Sequence, residues 1–172
     1  RTRDMVVINP TNPTGAVYSR ETLEAIVALA EERGLVIFSD EIYDGMIYDD
    51  AEFIPMAPLV NNTLCGTFAG LSKVYRACGF RVGWVSFNGA NEAAEEYLHG
   101  LALLASLRLC SNVPGQWGVQ TALGGYQSVK KLVRPACHLY ESRQAAVEGR
   151  AVSPYPPIGR AGALVSAVFR LA

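Results

Sequence analysis

The sequence predicts an α/β fold: three layers, with a mostly parallel sheet flanked by helices, and the start of a small domain at the C-terminal end. Three observations predict it. Short apolar runs and one amphipathic helix alternate as strand, helix, strand within residues 5–40. Further apolar runs end in turn-rich polar segments, and helical patterns dominate from Asn91 onward. At 172 residues, 50% of them hydrophobic, the chain can bury a sizeable core without staples.

The first strand is "MVVIN", 5–9, closed by the turn-forming "PTNPTG". A helix follows over "SRETLEAIVALAEERG", with Ser19 as N-cap, Gly34 as C-cap, and Leu23, Ile26, Val27 and Ala30 spaced as one apolar stripe. "LVIFSD", 35–40, is the second strand, so the order matches a parallel crossover. "TLCGTF", 63–68, and "VGWVSF", 82–87, supply two more. Helices are expected over 91–109, 115–126 and 129–149, the last kinked or restarted at Pro135. The tail after Gly149 reads as a linker followed by a strand. Residues 1–126 form the expected large domain, and 127–172 an interdomain helix and the beginning of the small one.

Net charge is −1 with no long run of one sign, which points away from nucleic acid or an acidic membrane surface. No run reaches the roughly 18 apolar residues of a membrane span. The four cysteines, Cys65, Cys78, Cys110 and Cys137, form no C-x-x-C pair, and His99 and His138 are too isolated for a metal site. The expected setting is cytoplasmic, and the expected partner a small molecule or another copy of the chain. The chain opens "RTRDMVV", without an initiator Met, and reads as a piece of a longer protein.

Lysine is scarce. Of 15 Lys plus Arg, only Lys73, Lys130 and Lys131 are lysines, and the latter two sit in a polar helical stretch that suits a solvated face. Lys73 lies among small and apolar neighbours, where a lysine either snorkels to water or works through its amine. In open α/β sheets, ligands bind outside the carboxyl ends of the parallel strands. Strand one ends into Asn9 and Asn12, strand two at Asp40, Glu41 and Tyr43, strand three into Ser72 and Lys73. An amide, a carboxylate with a phenol, and a lysine are thus expected on one rim.

A lysine amine forms Schiff bases with carbonyls, and a neighbouring carboxylate can keep a ring nitrogen protonated. Pyridoxal phosphate needs both, together with hydrogen bonds to its ring hydroxyl and cations or backbone amides for its phosphate. Asn12, Tyr43 and Arg81 have suitable chemistry. Each residue also has a plainer reading: Asp40 and Glu41 as a helix cap, Asn12 as a turn former, Tyr43 as packing, Arg81 as a surface ion-pair partner.

"NPTNPTG", "SDEIYDGMIYD" and "GLSKVYRACGFRVGW", in this order, resemble the class I and II aminotransferases of fold type I. With "RLCSNVPGQWGVQTALGGYQS", the chain is most similar to bacterial alanine-synthesising transaminases acting on glutamate and pyruvate. The resemblance covers residues 1–149. It implies a pyridoxal-phosphate transaminase, homodimeric, exchanging an amino group between an L-amino acid and a 2-oxo acid. By the same resemblance Lys73 holds the cofactor as a Schiff base and shuttles a proton, and Asp40 pairs with the pyridinium nitrogen. Asn12 and Tyr43 bond the phenolic oxygen, Arg81 grips the phosphate, and Ser72 supports.

Some family features are missing. Gly70 stands where many relatives carry a phosphate-binding serine. The glycine-rich phosphate loop and ring-stacking aromatic belong before residue 1, and the arginine for the substrate carboxylate after residue 172. Weak or no activity is therefore expected of this piece alone. Two other functions fit the same motifs: C–S bond elimination on the same scaffold, and a non-catalytic cofactor-binding regulator or assembly domain.

Overall fold

A computed structural model of the chain describes residues 2–90, 92–124, 133–135 and 137–148. Four strands form one sheet in the order β1 (Asp4–Ile8), β2 (Val36–Asp40), β3 (Leu64–Gly70) and β4 (Gly83–Gly89). The first three are parallel, with Ile8 opposite Asp40 and Asp40 opposite Phe68. β4 returns antiparallel, Gly70 facing Gly83. The four strands expected before residue 90 are all present, with ends shifted by a residue or two.

Between β1 and β2 runs α1 (Arg20–Arg33). The Ser19 side chain accepts from the Thr22 amide at its N-terminus, and Gly34, at φ 61°, turns the chain out at its C-terminus. Only a residue without Cβ takes that left-handed conformation without cost, and the Leu35 amide reaches back to the Ala30 carbonyl at 2.8 Å. Leu23, Val27 and Ala30 are buried against Val7, Ile37 and Cys65 of the sheet. The long connection from β2 to β3 carries no α-helix; its Ile54, Met56 and Val60 join the same core.

Because side chains alternate along a strand, the other face of the sheet carries Val6, Phe38, Phe68, Val85 and Phe87. Helix α2 (Glu95–Arg108) reaches it through Tyr97, whose ring meets Phe87 edge-on at 6.4 Å. Helix α3 (Val113–Leu123) begins under an Asn112 cap and approaches the chain before β4 so closely that a Cβ on Gly115 would lie 2.1 Å from Val82. Gly70 is similarly confined: a Cβ there would sit 2.8 Å from the Val82 carbonyl oxygen. After Pro135 a helix, α4, runs over His138–Val147; the start of the expected helix before the proline, 129–132, lies outside the described residues. Lys130, Lys131 and the tail from 149 lie outside the described residues, as does most of the expected small domain.

The two faces should respond differently to truncation. Leu23→Ala, in the sealed core, is expected to cost about 2–5 kcal/mol, whereas Val6→Ala, 67% exposed on the open face, should cost less than about 0.5 kcal/mol. Urea unfolding midpoints of the two variants check the contrast.

Candidate active site

The carboxyl ends of β1, β2 and β3 share a rim with the start of antiparallel β4, so the loop 71–82 lies across it. That loop is short and self-bonded. The Leu71 amide donates to the Val82 carbonyl, Ala77 to Leu71, and Arg76, with positive φ, to Lys73. The Cys78 thiol donates to the Ser72 carbonyl at 2.8 Å. Lys73 is thus held by its main chain while its side chain is exposed.

Asp40, Ser72 and Lys73 line one cavity of about 760 Å³ whose walls are largely apolar: Phe38, Phe68, Val85 and Phe87. The Lys73 ammonium lies 5.9 Å from the ring centre of Tyr43, within reach of a cation–π attraction. Tyr43 is buried. The Asp40 carboxylate accepts from the Ile42 amide at 3.2 Å, which fixes its direction at the strand end. Four of the expected residues therefore gather at one place.

Two do not. Asn12 sits on a turn in which the Thr11 amide bonds the Ala16 carbonyl and Gly15 bonds Thr11. That turn carries Asn12 to a separate recess beside Met5, Thr11 and Tyr18. Arg81 lines another, with Arg108, Ser111, Asn112 and Gln116, and its guanidinium donates to the Cys78 carbonyl at 2.8 Å. Asn9, expected on the rim, is buried instead. Its side-chain oxygen accepts from the Tyr18 amide at 3.0 Å, so it anchors the chain into α1.

Sequence reasoning passed over Asn112. Its amide nitrogen donates to the Phe80 carbonyl at 2.6 Å while its oxygen caps α3, tying the helix to the residue before Arg81. The signal was present as a capping residue two places before Pro114. Among the described residues, no cluster of His, Cys, Asp or Glu is placed to hold a metal ion, and no helix is long and apolar enough to cross a membrane.

The family model for aminotransferase class I and II matches residues 1–153. The chain belongs to that family. Glutamate-pyruvate aminotransferase AlaA of Escherichia coli is 55% identical over 148 residues, 86% of this chain and 36% of that protein. Alanine aminotransferase of Mycobacterium tuberculosis is 51% identical over 146 residues, 85% of this chain and 34% of its own length. Among solved structures, an aminotransferase from Escherichia coli superposes with a TM-score of 0.82 at 55% identity, covering 86% of this chain and 37% of that one. Alanine aminotransferase from Pyrococcus furiosus follows the same path with a TM-score of 0.78 at 35% identity, over 86% and 37%. This aminotransferase chain spans about a third of the length of the curated relatives it matches.

Members of the family use pyridoxal phosphate. The donor set of the Lys73 cavity fits that group: an amine, a carboxylate and a hydroxyl facing apolar walls that suit a planar ring.

Next to Asp40, Glu41 is buried and its carboxyl is pushed above the usual range. Burial is the main cause, opposed by hydrogen bonds from Met56 and Ser39 and reinforced by the charges of Asp44 and Asp40. A folded value above the unfolded one means that its stabilising share is complete below the ordinary carboxylate pKa and is lost as pH rises through the raised value. Glu41→Gln, which removes that titration, is expected to gain on the parent chain as pH rises from about 4 to about 8. Urea unfolding across that range measures the gap; a gap that stays constant or shrinks would sink the assignment.

Proposed function

We propose that the protein containing this chain is a pyridoxal-phosphate aminotransferase, moving an amino group reversibly between an L-amino acid and a 2-oxo acid. Alanine or glutamate is the donor we favour, because the relatives above 50% identity are named for alanine or for glutamate and pyruvate. The observation that carries the reading is the shared cavity of Lys73, Asp40 and Ser72 at the carboxyl rim of the sheet.

The cofactor, when bound, supplies an electrophilic carbonyl and an electron-withdrawing ring. Lys73 is the group that would hold it covalently through Nζ and, once displaced by substrate, carry a proton on the same nitrogen. Asp40, oriented by the Ile42 amide, would keep a ring nitrogen protonated by placing negative charge beside it. Tyr43, beside the Lys73 ammonium, would serve the phenolic oxygen as a donor, and Asn12 would join it on family grounds alone, since its turn borders a separate recess. On family grounds alone, since it lines a separate recess, Arg81 would exchange the Cys78 carbonyl for the phosphate, which its planar fork suits better than an ammonium does. Ser72 would assist from beside Lys73. The apolar walls would pack against the faces of the cofactor ring. A homodimeric, cytoplasmic enzyme belongs to the same proposal on family grounds.

Mixing the chain with pyridoxal phosphate and reducing with borohydride is expected to label Lys73, and Lys73→Ala to remove that label. Label spread over Lys130 and Lys131, or none at all, would overturn the assignment. Turnover of alanine by the 172-residue chain alone should fall far below that of a full-length relative, as a coupled pyruvate assay would read.

A further inference from the structure

We infer that Glu41 is a positioning residue, one that holds Asp40 and Tyr43 in place against Lys73. The inference rests on the aminotransferase reading just given, and its evidence is the way one residue joins four parts of the chain.

Asp40 and Glu41 are neighbours at the end of β2 and project to opposite faces, Asp40 into the cavity and Glu41 beneath it with Ser39. Glu41 is 6% exposed and Ser39 fully buried. A single carboxylate oxygen, Oε1, accepts both from the Ser39 hydroxyl and from the Met56 amide, each at 2.9 Å. The main chain is equally engaged: the Glu41 amide donates to the Phe68 carbonyl of β3 at 3.0 Å, and its carbonyl accepts from Asp44 at 3.0 Å. A second turn overlaps the first, Met46 donating to the Tyr43 carbonyl at 2.8 Å. The Glu41 side chain therefore ties the end of β2 to the returning segment at Met56, while its main chain joins that end to β3 and to the turn bearing Tyr43.

Burying a carboxylate is costly, and an apolar side chain would fill the space with less penalty. An apolar residue, however, leaves the Met56 amide of a fully packed segment without an acceptor. What the position requires is an oxygen with two lone pairs in one spot, a need that glutamine meets and alanine does not. If Glu41 merely filled the core, its loss would weaken the whole domain alike. As a positioning residue, its loss frees the Tyr43 turn first.

Hydrogen exchange on the parent, Glu41→Ala and Glu41→Gln chains separates these outcomes, read at 41–46 and 54–56 with α1 as reference. Glu41→Ala is expected to exchange about tenfold faster or more in those two segments while α1 is unchanged. It should also need at least about tenfold more pyridoxal phosphate to label Lys73. Glu41→Gln should stay within about twofold of the parent in both readouts. Equal loosening of α1, a folded Glu41→Gln that behaves like the alanine variant, or undiminished labelling of Glu41→Ala would each overturn the inference. Should Glu41→Ala not fold, Ser39→Ala removes one donor from the same oxygen and should give the same pattern at about twofold amplitude; no selective loosening there counts against it. A parent chain unlabelled at Lys73 sinks the functional reading instead, since the exchange pattern is read without cofactor.

Discussion

The parallel pairing of β2 with β3 is the constraint on which the rim depends. It sets Asp40 opposite Phe68 and lets the Glu41 amide continue the ladder one step further, onto the Phe68 carbonyl. From there β3 has only two more residues before its chain turns into the Ser72–Lys73 loop. Were the register to slip by one, Asp40 would leave the cavity for the α1 face and the buried Ser39 would enter it. The hydrophobic core resists such a slip, because the buried Ile37 would also exchange sides with Phe38. Packing on one face thereby fixes chemistry on the other.

A second theme is how the irregular connections are secured. Parallel strands need long crossovers, and only the first of these contains an α-helix. In the irregular stretches, polar side chains answer the main chain where a ladder does not. Asn9 accepts from Tyr18, Glu41 from Met56, and Glu31, at the end of α1, from both Asn61 and Asn62. Thr63 donates to Leu35 across the base of the sheet. These bonds span from nine to 31 residues of sequence. They give loops the definition that repeated hydrogen bonding gives strands.

This division also explains what was legible in the sequence. Strands with apolar runs and a helix with a stripe, a serine before it and a glycine after it announce themselves locally, so β1, α1 and β2 could be placed from their residues. Lys73 and Asp40 were legible because a strand-end rule located them. Asn12 and Arg81 were harder: each lies in a turn whose course is set by contacts such as Thr11 with Ala16 or Arg81 with Cys78, and no periodicity encodes those. Helix α2 posed another difficulty, since Leu103, Leu104 and Leu107 remain exposed in this chain. Its apolar residues mark surface here, not core, and no single stripe separates the two.

The confinement of Gly70 has a consequence for how this loop can vary. A serine at that position would carry its Cβ into the Val82 carbonyl and toward Gly83, the partner across the ladder, whose own Cβ would crowd the Ala69 carbonyl. Positions 70, 82 and 83 are therefore a linked set: a side chain gained at the first has to be matched by a shift of the backbone at the others. Among descendants of this chain, a phosphate-binding hydroxyl at 70 should arise only in company, never as a lone replacement.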